Sequence, residues 1–273
     1  MLANLNISQW TARKHDKSVS AEVDQNHNAT DGGRYNKLLI SKIALDPLSK
    51  HASSVRNYHY TMTLPWGDNG DRLLPSASYF EYTTKMRTLR SENEQLVLKF
   101  CSDYMNLVNE ARQRLGTMYD ANDYPHTDHI KERFGIEIKF RPVPAAGHFL
   151  VDIENSALEE IRKSLDAQTE EMTRGAIQEC WARLQIVVQR VNETMTKDKP
   201  VFRDSLIDNL TELTDMIPKL NVTNDAALNR VCERIKDELI QPPRLLRMIE
   251  PRRRALAVAS SGILQTIENH INR

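Results

Sequence analysis

The sequence predicts a mainly α-helical protein with minor β structure: a long antiparallel coiled-coil helical hairpin with a small β-hairpin cap, followed by a C-terminal helical bundle. Three observations carry that prediction. Apolar residues follow one another at steps of three or four from Tyr79 to Met118 and again from Leu158 to Met195, the pattern of an apolar seam sustained along a helix. The stretch between the two seams is too long for a tight turn, and it holds an alternating segment that reads as strand. Beyond Pro200, stretches of helical period separated by prolines complete the chain.

Element by element, Leu5, Ile7 and Trp10 read as an edge strand, and the polar run from Ser18 to Gly33 as a loop. Leu38, Leu39, Ile43, Leu45 and Leu48 predict helix between Tyr35 and Val55, broken at Asp46-Pro47 and restarted there. His59 to Leu64 is rich in aromatic and β-branched residues. With turn chemistry from Gly67 to Asp71 before Leu73 and Leu74, it predicts a short hairpin or an extended arm. Ser78 and Glu81 form a capping-box pair at the head of the first long helix. Its seam runs Tyr79, Tyr82, Met86, Leu89, Asn93, Leu96, Phe100, Tyr104, Leu107, Ala111, Leu115 and Met118. Asn93 is its polar member, and such a residue costs stability unless it meets another polar group.

After Tyr124-Pro125, a short helix is expected from Asp128 to Phe134, stopped by Gly135. Ile136 to Phe140 alternates and pairs in this reading with Phe149 to Ile153 as a second hairpin. The seam of the second long helix is Leu158, Ile161, Leu165, Met172, Ala176, Cys180, Leu184, Val187, Val191 and Met195. Ile177 and Trp181 widen it, which predicts a further helix on that face. Helices from Arg203 to Lys219, Asp225 to Ile240 and Pro251 to Ile271 follow, with Pro242-Pro243 between the last two. The chain is thus expected in three successive segments: 1–77, 78–198 with its cap at 119–154, and 199–273.

Composition narrows the function. With 37 basic and 37 acidic residues the chain has no net charge, so nothing draws it as a whole to nucleic acid or membrane. Cys101, Cys180 and Cys232 are odd in number and lie in helical patterns, as reduced core thiols of a cytoplasmic protein would. No apolar run reaches membrane-spanning length. Phosphate-loop spacings, a nucleophile elbow, paired CxxC and HExxH are all absent from the sequence, so no catalytic residue and no cofactor is expected. His126 and His129 have the spacing to share a helix face. They are the weak candidates for a metal, but spacing supplies no third ligand and no metal is expected.

Two basic groups carry the nucleic-acid reading. Arg244, Arg247, Arg252, Arg253 and Arg254 cluster about a helix start with Glu250 as the acid among them, and guanidinium groups grip phosphates bidentately. Salt bridges to the acidic middle of the chain are the competing use of these arginines. Arg13, Lys14, Lys17, Arg34 and Lys37 surround Trp10 and Tyr35, an interleaving suited to a single strand, whose bases stack while cations hold its backbone. A core anchor is the other use of Trp10. Arg56 to Tyr60, leading to Trp66, offers a third stacking segment.

The opening Leu5-Asn6-Ile7-Ser8-Gln9-Trp10-Thr11-Ala12-Arg13-Lys14 resembles the start of an uncharacterised family of bacteriophage and prophage proteins. Leu64-Pro65-Trp66, the long helix after it, and Phe202-Arg203-Asp204-Ser205-Leu206 through Leu220-Asn221-Val222-Thr223 fit the same layout. The resemblance implies an accessory role near replication, recombination or ATPase genes, and no active site to carry over. Two functions are therefore expected. The first is a non-enzymatic homo-oligomer that binds DNA, single-stranded in one form, through the basic segments. The second is a scaffold that engages a protein partner such as an ATPase through its helices.

Overall fold

The computed structural model describes residues 1–67, 69–144, 155–198 and 200–272. Strand β1 (Leu2–Ser8) is followed by β2 (Arg13–His15), helix α1 (Lys17–Asn26), β3 (Asn36–Leu38), α2 (Lys42–Met62), β4 (Leu64–Pro65) and β5 (Asp71–Leu73). Helix α3 (Tyr79–Leu115) is 37 residues long, and short α4 (Thr127–Ile130) and strand β6 (Gly135–Arg141) follow it. Helix α5 (Asn155–Met195) has 41 residues and precedes α6 (Ser205–Leu220), α7 (Ala226–Leu239), α8 (Pro243–Met248) and α9 (Glu250–Ile271). The protein is mainly α-helical with minor β structure. Both long helices start or end within a few residues of the bounds read from their seams.

The chain divides into two compact units, each gathering segments far apart in sequence. Unit 1 holds Met1–Asn4, Tyr60–Tyr82 and Lys139–Arg273; unit 2 holds Leu5–His59 and Thr83–Ile138. This division cuts across the three successive segments expected.

Unit 1 is a helical bundle built on α5. Ala176, Cys180, Leu184, Val188, Val191 and Met195 are buried along one stripe and meet the apolar faces of α6, α7 and α9. Asn192 donates to the Ala257 carbonyl and the Ser260 hydroxyl at 2.9 Å each, while Trp181 stacks flat on His270 at 4.5 Å. Positions rising along α5 meet positions falling along α9, so these two helices are antiparallel. Asp225 caps α7 through the Ala227 amide at 2.8 Å. In this unit β5 pairs antiparallel with both β1 and β4, placing Leu73 opposite Leu2 and Leu64. Trp66 is buried in the same core, and so is no stacking surface.

Burial pushes the Cys180 and Cys232 thiols up to about 12. Since the thiolate is the reactive form, a disulfide reagent at mild alkaline pH should titrate half-buried Cys101 first. The other two should react only on unfolding.

Unit 2 packs the middle of α3 against the N-terminal segments. Val97, Phe100, Tyr104 and Val108 share a core with Ala12, Leu39, Ile40, Leu48, Ile130 and Phe134. The Arg114 guanidinium donates to the Leu38 carbonyl at 2.6 Å and the Tyr124 hydroxyl to that of Leu39 at 3.1 Å, holding the end of β3 to this face. Strand β6 lies beside β1 in the sheet order β4-β5-β1-β6.

Several expectations are corrected. The expected hairpin pairs the two long seams with each other, but α5 takes α9 as its antiparallel partner and the middle of α3 fills its seam inside unit 2. The repeat along α3 explains part of this. Its buried positions are Tyr82, Met86, Leu89, Asn93, Val97, Phe100, Tyr104, Val108, Ala111 and Leu115, with Val97 and Val108 in place of Leu96 and Leu107. The set repeats every eleven residues, and that period does not sustain the left-handed supercoil of a heptad seam.

The polar run after Asp16 is helix α1, because the Asp16 carboxylate caps the Val19 amide at 3.1 Å. Pro47 lies inside α2 instead of breaking it; as the sixth residue of a 21-residue helix it forfeits one amide bond near the start. His59 to Met62 is the last turn of that helix, and only Leu64–Pro65 is strand. Ser78 immediately precedes α3, but its amide bonds to the Pro75 carbonyl in a 3₁₀ turn and its hydroxyl has no partner among the described residues. Glu81 pairs instead with Lys219 at 2.9 Å. Gly135 opens β6 rather than capping a helix. The Phe149 to Ile153 strand lies outside the described residues.

Candidate nucleic-acid interface

The N-terminal candidates are positioned by a backbone kink. Ala12 takes φ 49°, unusual for a residue with a Cβ, and its carbonyl accepts from the Leu39 amide at 2.7 Å. The kink separates β1 from β2. Just before it, Trp10 leans edge-on against Phe100 and Tyr104, at 6.5 and 6.0 Å between ring centroids. Just after it, β2 alternates, so Arg13 and Lys14 leave on opposite faces.

Arg13 reaches a groove of about 360 Å³ that Trp10, Thr11, Lys42, Asp46 and Ser49 also line. Lys42 is the first residue of α2, whose start is capped by the Ser41 hydroxyl accepting from the Ala44 amide at 3.4 Å. Arg13 and Lys42 are exposed and form no ion pair among the described residues. Asp46 is partly neutralised by Lys50 at 3.6 Å. The groove thus combines two unpaired cations, an indole edge, two hydroxyls and the positive end of a 21-residue helix. Lys42 was not among the residues singled out in the sequence. The signal for it was Ser41, a helix N-cap residue directly after a buried pair, Leu39 and Ile40.

Lys14 and Lys37 belong to a different device. They stand opposite each other across β2 and β3 and share Asp123, at 3.8 and 2.8 Å. The Lys37 ammonium is buried and also meets the Asp16 carboxylate at 3.3 Å and the Met118 carbonyl at 2.7 Å, so all three of its donors are used. Burial opposes its charge, but hydrogen bonds and attraction from Asp123 and Asp16 together raise its pKa above the ordinary value. The Asp16 carboxyl is lowered, first by the Val19 amide and, against a smaller desolvation cost, by Lys37. Lys17 opens α1, exposed and without an ion pair among the described residues.

The arginine cluster of unit 1 is mostly spent. Arg247 pairs with Asp204, donates to the Phe202 carbonyl at 3.2 Å and lies over the Phe202 ring at 5.0 Å. Arg253 donates to the Leu246 and Arg247 carbonyls at 2.9 and 3.1 Å, closing the end of α8. Arg254 pairs with Glu250 at 2.5 Å along α9. Arg244 and Arg252 are exposed with no ion pair among the described residues, beside Met248 at 70% exposure.

His126 and His129 have ring centroids 6.4 Å apart, and each faces a carboxylate, Asp128 at 3.2 Å and Glu132 at 3.7 Å. Among the described residues no three His, Cys, Asp or Glu side chains group as a metal site would require. No helix among the described residues is long and apolar enough to cross a membrane. Comparison with protein-family models, with curated proteins and with solved structures finds no match for this chain.

Proposed function

We propose that the protein is a non-enzymatic accessory factor that binds single-stranded DNA through the groove at the start of α2. The observation that carries this reading is the meeting of Trp10, Arg13 and Lys42 around one groove. Trp10 supplies an aromatic surface, and the two cations supply backbone capture. Each place offers two free cations, Arg13 and Lys42 here against Arg244 and Arg252 there, and the groove is favoured because Trp10 also lines it. Phosphate affinity grows with the number of cations free to release counterions, and internal partners have already claimed Arg247, Arg253 and Arg254. The bacteriophage family resembled by the opening segment points the same activity toward replication or recombination.

Fluorescence anisotropy with a labelled oligonucleotide at low salt tests the reading. Wild type should bind, and Arg13→Glu with Lys42→Glu should weaken binding at least about tenfold and flatten its salt dependence. Unchanged affinity in that variant, with loss in Arg244→Glu and Arg252→Glu, would move binding to the α8–α9 corner. Absence of binding by wild type would remove it. The scaffold role is the second reading, and exposed Met248 beside Arg244 and Arg252 favours it, since Met and Arg are enriched at protein interfaces.

A further inference from the structure

Unit 2 contains a second concavity, a cleft of about 520 Å³ between α3 and the β1–β6 strands. That volume lies within the range of small-molecule sites. Asn93, on the buried stripe of α3, lines it. The residue is only 8% exposed, and its side chain makes no hydrogen bond among the described residues. Its amide faces the cleft from an otherwise apolar stripe and meets no protein partner there among the described residues, so it is free to bind a ligand.

Three further features define that ligand. Asn6 and Ser8, two strand positions apart, turn to one face of β1 and line the cleft with hydroxyl and amide groups. Gly135 leaves the Ser8 hydroxyl its room, because a Cβ there would lie 2.9 Å from it. Phe134 and Val97 supply apolar wall. The charges lining the cleft cancel: Arg90 is paired with Glu94 at 3.4 Å, and Lys131 is offset by Glu137.

We infer that this cleft is a binding site for a nucleoside, an uncharged heterocycle on a sugar. A carboxamide presents a donor and an acceptor side by side, and a base edge presents the complementary pair, the geometry by which Asn reads adenine. The strand amides and the Ser8 hydroxyl suit the sugar hydroxyls. The balanced rim gives no premium to a phosphate. The same chemistry could come from a free nucleoside or from an unstacked base of a single strand, and in the latter case the site deepens the DNA-binding reading above.

Isothermal titration calorimetry of the full chain with the four deoxynucleosides and with adenosine tests the site. Wild type should bind at least one of them, and its 5′-monophosphate should bind no more tightly. Asn93→Leu should lose at least about tenfold in affinity while keeping a cooperative thermal transition, which separates loss of the site from loss of the fold. Arg13→Glu with Lys42→Glu should retain nucleoside binding even where it loses DNA. Competition of the nucleoside with a labelled oligonucleotide would assign the cleft to bases of the strand; independent binding would assign it to free nucleoside. Three results would overturn the inference: no nucleoside bound at about 10 mM, wild-type affinity in Asn93→Leu, or loss of nucleoside binding in the groove variant.

Discussion

Arg183→Met is expected to destabilise unit 1 by about 3 kcal/mol, read as a lowered midpoint in thermal or urea denaturation. From α5, the Arg183 guanidinium donates to the carbonyls of Tyr60, Thr61 and Thr63 at 3.0, 3.1 and 3.0 Å. These include carbonyls of the last turn of α2, which have no partner further along the helix. The same arginine pairs with Glu179 at 3.0 Å. Methionine keeps the packing of the aliphatic stem but leaves the carbonyls without this donor. One relief works against the loss: Arg72 donates to the Thr63 hydroxyl and carbonyl at 2.8 and 3.1 Å and lies over the Tyr60 ring at 4.7 Å. Its pKa is lowered, first by burial and then by the charge of Arg183, so removing Arg183 eases that repulsion. Glu179→Gln, which deletes only a partly exposed partner, should cost less than about 1 kcal/mol. Equal losses in the two variants would show that the carbonyl clamp contributes nothing of its own.

The second large effect is expected at Lys37. Lys37→Met should destabilise unit 2 by about 3 kcal/mol, because deleting one side of a buried ionic group strands the other. Combining it with Asp123→Asn should recover part of that loss, since the stranded charge is then gone; a double variant no better than the single would refute the ionic account. The pH profile gives an independent reading. Asp16 has a folded pKa below its ordinary 3.8, so its contribution is complete above that value and fades as pH falls through the folded value. Lys37 has a folded pKa above its ordinary 10.5, so its contribution is complete below that value and fades as pH rises through the folded one. The stability of unit 2 should therefore be flat between these limits and fall on both sides. Lys37→Met should remove the alkaline decline.

Both expectations concern contacts that no local pattern announces. The long helices were legible because apolar residues at helical spacing report burial wherever the partner comes from. The partners were not legible, because Asn192 meeting Ser260 and Trp181 meeting His270 are facts of distant pairing. Register was nearly legible. A heptad frame selects Leu96 and Leu107, whereas the eleven-residue repeat selects Val97 and Val108.

At the candidate site, Trp10 and Arg13 were recognisable from their types, and their meeting depends on the turn at Ala12. The arginine cluster was recognisable as charge. Its consumption by Asp204, Glu250 and the end of α8 was not, since a guanidinium in sequence looks the same whether or not a carbonyl is waiting for it. Lys37 was counted as one more surface cation, and the carboxylates that bury it come from Asp16 and Asp123.

The interleaving of the two units also sets an order of events during synthesis. Every segment of unit 2 has been made once Ile138 is added, whereas Met1–Asn4 and Tyr60–Tyr82 must await helices as late as α9. Domains fold as units while the chain is still growing. Unit 2 can therefore be finished on the ribosome while the apolar side chains Leu64, Trp66 and Leu73 still lack their covering. For that interval the nascent protein carries a sticky, half-built sheet edge, and slowing translation beyond Ile138 would prolong its exposure to chaperones.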